Sequence, residues 1–242
     1  MRTAVLSDIH GNLPALEAVV ADAIERGCSA FVNLGDIVSG PLWPRETADY
    51  LMSEDWITIA GNHERQVLTH GPDQIGPSDR YAKESLDEHH FDWLRSLPPL
   101  WQLSDDVLLC HGTPTSDLVY FVETVDGDCT RAAASDEARE RAGSRTESLI
   151  LCGHTHVARL VNLDDGRTVA NPGSVGLQAY ESDFPSPHIV ENGSPQARYG
   201  ILDGDDFALF EVAYDHESAA TRADRNDRPD WAVALRTGRM AA

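Results

Sequence analysis

Polar side chains with metal-binding chemistry follow short apolar runs at five places in the chain. The first run, residues 2–6, predicts a buried strand and is followed closely by Asp8 and His10. A carboxylate and an imidazole two residues apart leave the end of a strand on the same side. The later stretches are Gly35-Asp36, Gly61-Asn62-His63-Glu64, His111-Gly112 and Gly153-His154-Thr155-His156. We expect all five stretches to converge on one site that holds two metal ions.

The first half of the chain alternates between strand and helix patterns. Apolar residues recur at helical spacing from Leu13 to Ile24, with Pro14 in the first turn and Gly27 as the expected end. An apolar run at residues 30–34 predicts a second strand, so the two strands should be parallel and joined by a crossover helix. The same patterns predict a helix at about 45–53, a strand at 56–60 and one longer helix from Ser78 or Asp79 to Leu97.

Hairpin patterns dominate the second half. They fall at residues 100–110, 157–170 and 199–212, with a strand at 149–152, an exposed helix at 130–143 and a closing helix at 229–237. This order predicts an α/β (α+β) fold in which two packed mixed β-sheets form a β-sandwich flanked by helices. We expect a single domain over residues 1–242, with an insert at about 177–198 and a C-terminal helical tail at about 215–242.

Acidic residues outnumber basic residues by 40 to 19, which gives a formal net charge of −21. Such a charge opposes long-range attraction to nucleic acid and anionic lipid, so neither is expected as a partner. It does not oppose a small phosphorylated substrate, because two bound divalent cations would add positive charge at the site itself. The four cysteines form no CxxC pattern, and no apolar run is long enough to span a membrane. We therefore expect a reduced, cytoplasmic setting.

The donor types in these stretches restrict the metals that the site could hold. Carboxylate, imidazole and amide donors suit borderline divalent ions such as Mn²⁺, Fe²⁺ or Zn²⁺, and the absence of cysteine argues against a closed structural zinc site. Two ions about 3.5–4 Å apart need one shared ligand, and Asp36, at the end of a central strand, is the expected bridge. A single histidine or aspartate at a strand end is usually a cap or a surface group. Five such stretches together favour a metal site.

With these motifs in this order, the sequence resembles the calcineurin-like metallophosphoesterase superfamily, in particular its small bacterial and archaeal phosphodiesterase-like branch. The motifs span residues 8–156, and the overall pattern extends to about residue 213. The resemblance implies the superfamily's four-layer metallophosphoesterase fold and a division of the ligands between two metals. Asp8, His10 and His156 would hold the first metal, Asn62, His111 and His154 would hold the second, and Asp36 would bridge them.

The resemblance also implies a reaction and supporting residues. Two divalent ions are expected, with Mn²⁺ first and Fe, Zn or Ni as alternatives, and a hydroxide lying between them attacks phosphorus in line with the leaving oxygen. His63 follows a ligand without being one, and it would face the substrate and donate a hydrogen bond or a proton to the leaving group. Glu64 is expected to fix a histidine tautomer. Asn171 and Ser174 lie in a segment that would pass beside the metals, although an ordinary tight turn explains that segment equally well.

Two stretches depart from the family pattern. Residues 112–115 read Gly-Thr-Pro-Thr where small members usually have Gly-Ser-Pro-Arg, so one phosphate contact is lost unless Arg65 replaces it; a surface role for Arg65 is the alternative. The stretch 177–198 is longer than the compact pattern, and we expect it to form part of the substrate wall. The histidines outside the motifs are expected at the surface or at interfaces: His70, His89, His90, His188 and His216.

These features leave several functions open. The first expectation is a phosphodiesterase that acts on small diesters, and the alternatives are a phosphomonoesterase or a hydrolase of dinucleoside polyphosphates. A scaffold that binds other proteins is a different class, and the presence of His63 with every ligand argues against it. The metal site does not fix the substrate, because specificity lies in the loops around it. The oligomeric state stays open.

Overall fold

In the computed structural model, which describes residues 2–241, strands and helices alternate at first and hairpins follow. The first half contains β1 (Arg2–Leu6), α1 (Leu13–Glu25), β2 (Ala30–Asn33), α2 (Pro44–Met52), β3 (Ile57–Thr58), α3 (Asn62–Thr69), α4 (Pro77–Ser85), α5 (Glu88–Ser96), β4 (Leu100–Ser104) and β5 (Val107–Cys110). The second half contains β6 (Glu123–Asp126), β7 (Cys129–Ala132), α6 (Ser135–Ala142), β8 (Leu149–Leu151), β9 (Arg159–Asn162), β10 (Thr168–Asn171), β11 (Ala179–Ser182), β12 (His188–Glu191), β13 (Ala197–Asp203), β14 (Asp206–Val212), α7 (His216–Arg225) and α8 (Pro229–Thr237).

The first five-stranded sheet has the order β14-β13-β1-β2-β3. β1 and β2 are parallel, with Val5 opposite Val32, and β3 continues the parallel set. β13 pairs antiparallel with the other side of β1 and forms a hairpin with β14. The predicted parallel pair with its crossover helix α1 is therefore confirmed. The carboxyl ends of the three parallel strands meet at one edge of this sheet.

The second five-stranded sheet has the order β4-β5-β8-β10-β9. β5, β8 and β10 are parallel, with Leu109 opposite Leu151, while β4 and β9 are antiparallel edge strands. Two small hairpins, β6–β7 and β11–β12, stand apart from the large sheets. Both large sheets are mixed, as expected.

Apolar side chains fill the space between the two sheets and cover their outer faces. Val5 and Val32 of the first sheet pack in one buried cluster with Leu109 and Leu151 of the second, so the sheets form a sandwich. A second cluster packs helices α1 to α5 on the outer face of the first sheet, and a third packs α6 on the second sheet. Burying a Leu or Val side chain contributes about 1.5–3 kcal/mol each. The predicted α/β fold of two packed sheets flanked by helices is confirmed.

The predicted long helix at residues 78–97 is wrong in one respect, because the structure divides it into α4 and α5. Leu86 and Asp87 have extended backbone between the two helices. Asp87 is a residue type that starts helices, and its backbone N–H donates to Nδ1 of His90 at 3.0 Å. This local cap restarts the chain in a new direction, which apolar spacing alone did not reveal.

Several other elements differ from the sequence predictions. The segment before the predicted exposed helix forms the β6–β7 hairpin, so α6 is shorter than expected. The insert at 177–198 contains the β11–β12 hairpin, and α3 was not predicted, whereas α7 lies in the stretch expected to form a helical tail. His90 and His188 are buried, contrary to the expected surface positions. No helix within residues 2–241 is long and apolar enough to cross a membrane, and the four cysteines there are free.

Candidate metal centre

The polar stretches that follow the strands meet where the carboxyl ends of both sheets lie together. The loop after β1 is bonded to the loop after β2, since the N–H of Asp8 donates to Gly35 O and that of His10 to Asp36 O, both at 3.0 Å. In the second sheet the N–H of Gly153 donates to His111 O at 2.7 Å. These backbone bonds hold the candidate ligands in fixed relative positions.

The backbone at the candidate ligands is unusual. Within residues 2–241, six residues other than glycine have a positive φ. Five of the six are predicted ligands: Asp8, His10, Asp36, His154 and His156, with φ between 53° and 68°. Left-handed backbone at residues with a Cβ costs about 1–3 kcal/mol each and persists only where surrounding contacts enforce it. The strain therefore concentrates at the predicted site.

Asp8, His10 and His156 form the first group of donors. One ligand atom from each lies within 4.8 Å of the others, and all three residues are buried. The Nδ1 atom of His10 donates to Ser39 O and that of His156 to Leu177 O, each at 2.7 Å. These carbonyls place the ring protons on Nδ1, so both Nε2 atoms present lone pairs.

This first group fits a cation. The two Nε2 atoms lie only 3.1 Å apart, and with both protons on Nδ1 neither nitrogen can donate to the other. Burial and the nearby His156 lower the pKa of His10 to about 4, so a neutral ring is favoured. Oδ1 of Asp8 is fully buried and has no hydrogen-bond partner within the described chain. Converging lone pairs and an unpaired carboxylate oxygen are what a divalent ion requires.

Asp36, His111 and His154 form the second group, and their ligand atoms also lie within 4.8 Å of one another. His111 donates from Nδ1 to Leu34 O at 2.8 Å, while its Nε2 lies 3.1 Å from both Oδ1 of Asn62 and Oδ2 of Asp36. His154 has the opposite ring orientation. Its Nε2 is bonded to Leu118 O at 3.1 Å, so Nδ1 is the ring nitrogen that is available to a metal. The structure thus brings together all seven residues predicted as ligands.

The charged forms of Asp36 and His111 stabilise each other and shift both pKa values. Although burial lowers the pKa of His111, the charge of Asp36 and its hydrogen bond raise it to about 10. Burial alone would raise the pKa of Asp36, but His111 and His63 outweigh it and hold that pKa well below its usual value. Without a metal, a protonated His111 therefore neutralises Asp36. A bound cation would replace that proton.

His63 lies beside the ligands and is oriented by a residue that sequence reasoning did not assign. Its Nδ1 is 2.7 Å from Oδ1 of Asp79, and the Asp79 side chain is only 5% exposed. Burial lowers the pKa of His63, but Asp36 and Asp79 outweigh it and raise that pKa to about 9. From the sequence, Asp79 could be recognised only as a residue of a type that starts helices.

Glu64 does not orient a histidine, which differs from the expectation. Its buried carboxylate accepts backbone N–H groups of Asp36, Ile37 and Gly61, each at 2.8 Å. It therefore fixes the loop that carries Asp36. At Gly61 a Cβ would collide with the Asp36 carboxylate, so this position requires glycine.

Asn171 and Ser174 lie directly behind the ligand loops. The Asn171 amide donates to Gly153 O at 2.6 Å, and the Ser174 hydroxyl donates to Asp8 O at 2.9 Å. Both side chains are fully buried. They brace the backbone of the ligand loops and do not line the cavity in front of the donor groups.

Arg65 does not face the site. Its guanidinium forms two hydrogen bonds with the Asp117 carboxylate, at 2.6 and 2.9 Å, and it does not line the cavity beside the ligands. The surface role is thus the better description of Arg65. It does not replace the arginine that residues 112–115 lack.

A cavity of about 490 Å³ opens in front of the two donor groups. His10, Asp36, Asn62, His154 and His156 lie on its floor, and Tyr180 and Phe184 of the insert form part of a wall. The C-terminal helix α8 supplies the opposite side through Trp231, whose ring lies 5.9 Å from that of His10. At Gly40 a Cβ would collide with Trp231. This volume is in the range of small-molecule sites.

A third group of possible ligands lies away from the cavity, at Asp49, His89 and His90. Nδ1 of His90 accepts the N–H of Asp87, so the ring proton is on Nε2, which faces Asp49 Oδ1 at 2.9 Å. That nitrogen donates a hydrogen bond and has no lone pair for a metal. His90 therefore belongs to the N-terminal cap of α5, and Asp49 and His89 are residues that lie next to it.

Comparison with solved structures finds the same fold in proteins of similar length. The metallophosphoesterase from Sphaerobacter thermophilus has a TM-score of 0.76 and 24% identity, covering 98% of this chain and 99% of that one. The hypothetical protein PH1004 from Pyrococcus horikoshii OT3 has a TM-score of 0.76 and 18% identity, covering 99% of both chains. At these identities the likeness is one of fold.

Sequence comparison extends the likeness beyond the fold. The uncharacterized protein MJ0912 of Methanocaldococcus jannaschii is 27% identical over 246 residues, which cover 94% of each chain. Residues 1–158, which include every predicted ligand, match the calcineurin-like phosphoesterase family. The chain therefore belongs to the calcineurin-like phosphoesterase family of metal-dependent phosphoester hydrolases, which use a dinuclear site for divalent metals.

Proposed function

We propose that this protein is a phosphodiesterase that hydrolyses small diesters with two divalent metal ions bound at the strand ends. The observation that carries the proposal is the arrangement of the four candidate histidines. Each has one ring nitrogen bonded to a backbone carbonyl, so that the other is available to a metal. Such bonds fix the tautomer and raise ligand affinity in metal sites.

The ligands would divide between the two metals as the family resemblance implies. Asp8, His10 and His156 would hold the first ion, Asn62, His111 and His154 would hold the second, and Asp36 would contact both. The mixture of imidazole, carboxylate and amide donors without thiolate favours Mn²⁺, with Fe, Zn or Ni as alternatives. When bound, the ions lower the pKa of a coordinated water and neutralise charge on the phosphoryl oxygens.

His63 acts on the leaving group. It lines the cavity beside Asn62 and Asp36, and Asp79 fixes its ring orientation at 2.7 Å. With a pKa of about 9 the imidazole is protonated near neutral pH in the metal-free chain. A protonated imidazole can donate to the leaving oxygen, which general-acid catalysis requires for a poor leaving group such as an alkoxide.

The charge of the cavity wall favours a diester over a monoester. Glu181, Asp183 and Asp230 line the cavity, and Arg228 is the only lysine or arginine that lines it within the described chain. A monoester brings two negative charges at neutral pH and a diester brings one, so the acidic wall repels the monoester more strongly. At the scissile phosphate, the acidic wall therefore favours the single charge of a diester.

The insert and the C-terminal tail complete the substrate wall of a single domain. Tyr180 and Phe184 lie on the insert, and Trp231 lies on α8. Because specificity of such enzymes lies in the loops around a common centre, these two segments select the substrate. A cytoplasmic location stays a prediction from the sequence.

The decisive experiment is a substrate assay of the purified chain loaded with Mn²⁺. We expect hydrolysis of bis(p-nitrophenyl) phosphate to exceed that of p-nitrophenyl phosphate, which has the same leaving group on a monoester. His63→Ala should lower kcat by about 10²–10⁴ for an alkyl phosphodiester, whose alkoxide leaving group needs a proton, and by much less for bis(p-nitrophenyl) phosphate, whose p-nitrophenolate does not, while both metals stay bound, as measured by elemental analysis. His89→Ala, which changes an exposed histidine outside the cavity, is the matched control.

Each alternative has its own result in this assay. Faster hydrolysis of the monoester would favour a phosphomonoesterase, and a preference for diadenosine tetraphosphate would favour a dinucleoside polyphosphate hydrolase. An inert chain with Mn²⁺, Fe²⁺, Zn²⁺ and Ni²⁺ would contradict the enzyme and favour the scaffold.

A further inference from the structure

We propose that Arg228 binds a second anionic group of the substrate, so that the preferred substrates are phosphodiesters that carry at least one further phosphate. The inference rests on the proposed phosphoesterase activity and adds a residue that lies outside the family's matched region, residues 1–158. Arg228 begins helix α8 and reaches the cavity from the C-terminal end of the chain.

The position of Arg228 in the cavity is the first argument. Within the described chain it is the only lysine or arginine that lines a cavity otherwise walled by Glu181, Asp183 and Asp230. The protein as a whole carries a net charge of −21. Asp230 pairs with Arg228, so this cation offers an anion charge-assisted hydrogen bonds from its remaining N–H groups rather than a net positive field.

The hydrogen bonds of Arg228 hold the guanidinium in place without using all of its N–H groups. Nε and Nη2 donate to the Asp230 carboxylate, at 2.9 and 2.6 Å, and Nη1 donates to the Ser78 hydroxyl at 2.9 Å. A guanidinium has five N–H groups, so one on each terminal nitrogen is not committed to these partners. The side chain is 18% exposed, so it is largely ordered before a ligand arrives. Ordering in advance lowers the entropy cost of binding.

The turn that carries Arg228 is itself anchored. The Asn226 amide donates to Pro41 O at 2.7 Å and to the Tyr81 hydroxyl at 3.0 Å. Asp227 has a left-handed backbone with φ of 57°, the sixth positive φ among residues other than glycine in the described chain. Strain of this kind persists only where neighbouring contacts enforce it. The turn is therefore built to hold one conformation at the cavity edge.

The distance from Arg228 to the metal site suits a second phosphate of the same molecule. Cζ of Arg228 lies 5.6 Å from the centre of the Trp231 ring, and that ring lies 5.9 Å from the ring of His10. The two separations placed end to end give an upper limit of 11.5 Å between the guanidinium and His10. A cavity of about 490 Å³ is also much larger than one phosphate. A second phosphate of a bound diester can therefore reach Arg228.

A purely structural role is the competing explanation, because Arg228 links α8 to α4 through Ser78. The two roles predict different results. A structural link affects every substrate alike, whereas a phosphate-binding residue affects only substrates with a further phosphate. The test must therefore compare substrates that share a scissile ester and differ beyond it.

The test measures kcat and KM of the Mn²⁺-loaded enzyme at a buffered free Mn²⁺ concentration. The three substrates share a p-nitrophenyl phosphodiester: bis(p-nitrophenyl) phosphate, the p-nitrophenyl ester of thymidine 5′-monophosphate, and the same thymidine ester with a further phosphate on its 3′ oxygen. We expect Arg228→Met to lower kcat/KM for the 3′-phosphorylated ester by about 10- to 100-fold, chiefly through KM, because a charge-assisted hydrogen bond is lost. The other two esters should change by less than about twofold, and Arg228→Lys should restore part of the loss.

One control loosens the packing of the C-terminal helices without removing the cavity cation. Arg222→Met removes an arginine of α7 that packs on Trp43 and donates to Leu42 O. It should affect the three substrates equally.

An equal loss on all three substrates with Arg228→Met would overturn the proposal and assign Arg228 a structural role. A loss shared by both thymidine esters would assign it to the nucleoside instead. Wild-type enzyme that prefers the thymidine ester without the 3′-phosphate would overturn the substrate class. Failure to cleave any ester would contradict the proposed function itself.

Discussion

Nδ1 of His63 lies 2.7 Å from Oδ1 of Asp79, and the two residues come from different helices, α3 and α4. The backbone N–H of His63 also donates to Oδ1 of Asp36 at 2.9 Å. His63 is thus tied on one side to the central carboxylate of the site and on the other to a buried carboxylate. This pair fixes which ring nitrogen faces the cavity and how strongly the ring holds its proton.

Replacing Asp79 should weaken the acid role of His63. Asp79→Asn keeps a side-chain oxygen near Nδ1 but removes the charge that helps to raise the pKa of His63. The pKa should fall, so the activity that depends on protonated His63 should decline at a lower pH than in the wild type. We expect kcat to fall about 10- to 100-fold at unchanged metal content.

The measurement is the pH profile of kcat, with elemental analysis of both proteins. Asp92→Asn, an exposed position on α5, is the matched control. An alkaline limb that stays at the same pH in Asp79→Asn would contradict the role given to this pair.

Metal binding should release protons at neutral pH. His111 has a pKa of about 10 because Asp36 stabilises its charged form against burial, whereas His10 and His154 have pKa values of about 4 and 3 and are already neutral. Loading the metals at pH 7 should therefore expel about one proton from His111. Apparent affinity should rise with pH up to about 10, because below that value metal and proton compete for the same nitrogen.

Calorimetric titration with Mn²⁺ in buffers of different ionisation enthalpy measures the proton count directly. The measured enthalpy should change with the buffer for the wild type and much less for His111→Ala. An enthalpy that is the same in every buffer would show that no proton leaves.

Much of the site could be predicted because its ligands follow strands. Strand periodicity locates the apolar runs, and the carboxyl ends of parallel strands necessarily meet, so Asp8, Asp36 and His111 could be assigned from order and spacing. The predicted ligands lie together in the structure. Local sequence patterns are thus sufficient to predict ligands that directly follow a strand.

The remaining parts of the site depend on contacts between elements distant in sequence. Asp79 reaches His63 only because α4 packs against α3, and Arg228 reaches the cavity only because α8 folds back over it. His188, expected at the surface, is buried because its Nε2 bonds to the hydroxyl of Tyr120 at 2.9 Å. Neither spacing nor composition encodes such partners, since each residue type has an ordinary surface role by default.

Asp8→Asn should remove one metal and leave the fold intact. The variant keeps an oxygen that can accept the N–H of His154, now 3.1 Å from Oδ2, but it loses the charge on the unpaired Oδ1. We expect metal content to fall from two ions to about one per chain and kcat to fall at least 10²-fold.

Thermal unfolding tests the structural half of this prediction. In the metal-free form the Tm of Asp8→Asn should stay within a few degrees of that of the wild type. Added Mn²⁺ should raise the Tm of the variant by less than it raises the Tm of the wild type. Retention of two ions with normal kcat would contradict the assignment of Asp8 as a ligand.

Shortening the tip of the insert should change substrate preference without affecting the metals. The β11–β12 hairpin places Asp183 and Phe184 in the cavity wall, and its base is held where the Tyr180 hydroxyl bonds to that of Tyr120 at 2.8 Å. Ser182 and His188 are paired across the hairpin, so Asn-Gly in place of residues 183–187 can close it with a two-residue turn. The wall then loses one acidic and one aromatic side chain while the base remains.

We expect the ratio of kcat/KM between bis(p-nitrophenyl) phosphate and the p-nitrophenyl ester of thymidine 5′-monophosphate to change by about two- to tenfold, because an aromatic contact made with only one of them contributes about 0.5–1.5 kcal/mol, while the lost charge affects both monoanions alike. Asn-Gly in place of Gly204-Asp205, in the distant β13–β14 turn, is the matched control and should leave the ratio unchanged. Equal ratios in the wild type and the tip variant would mean that the insert is not part of the substrate wall. Elemental analysis must find the same metal content in all three proteins, because only then does a changed ratio report on the wall.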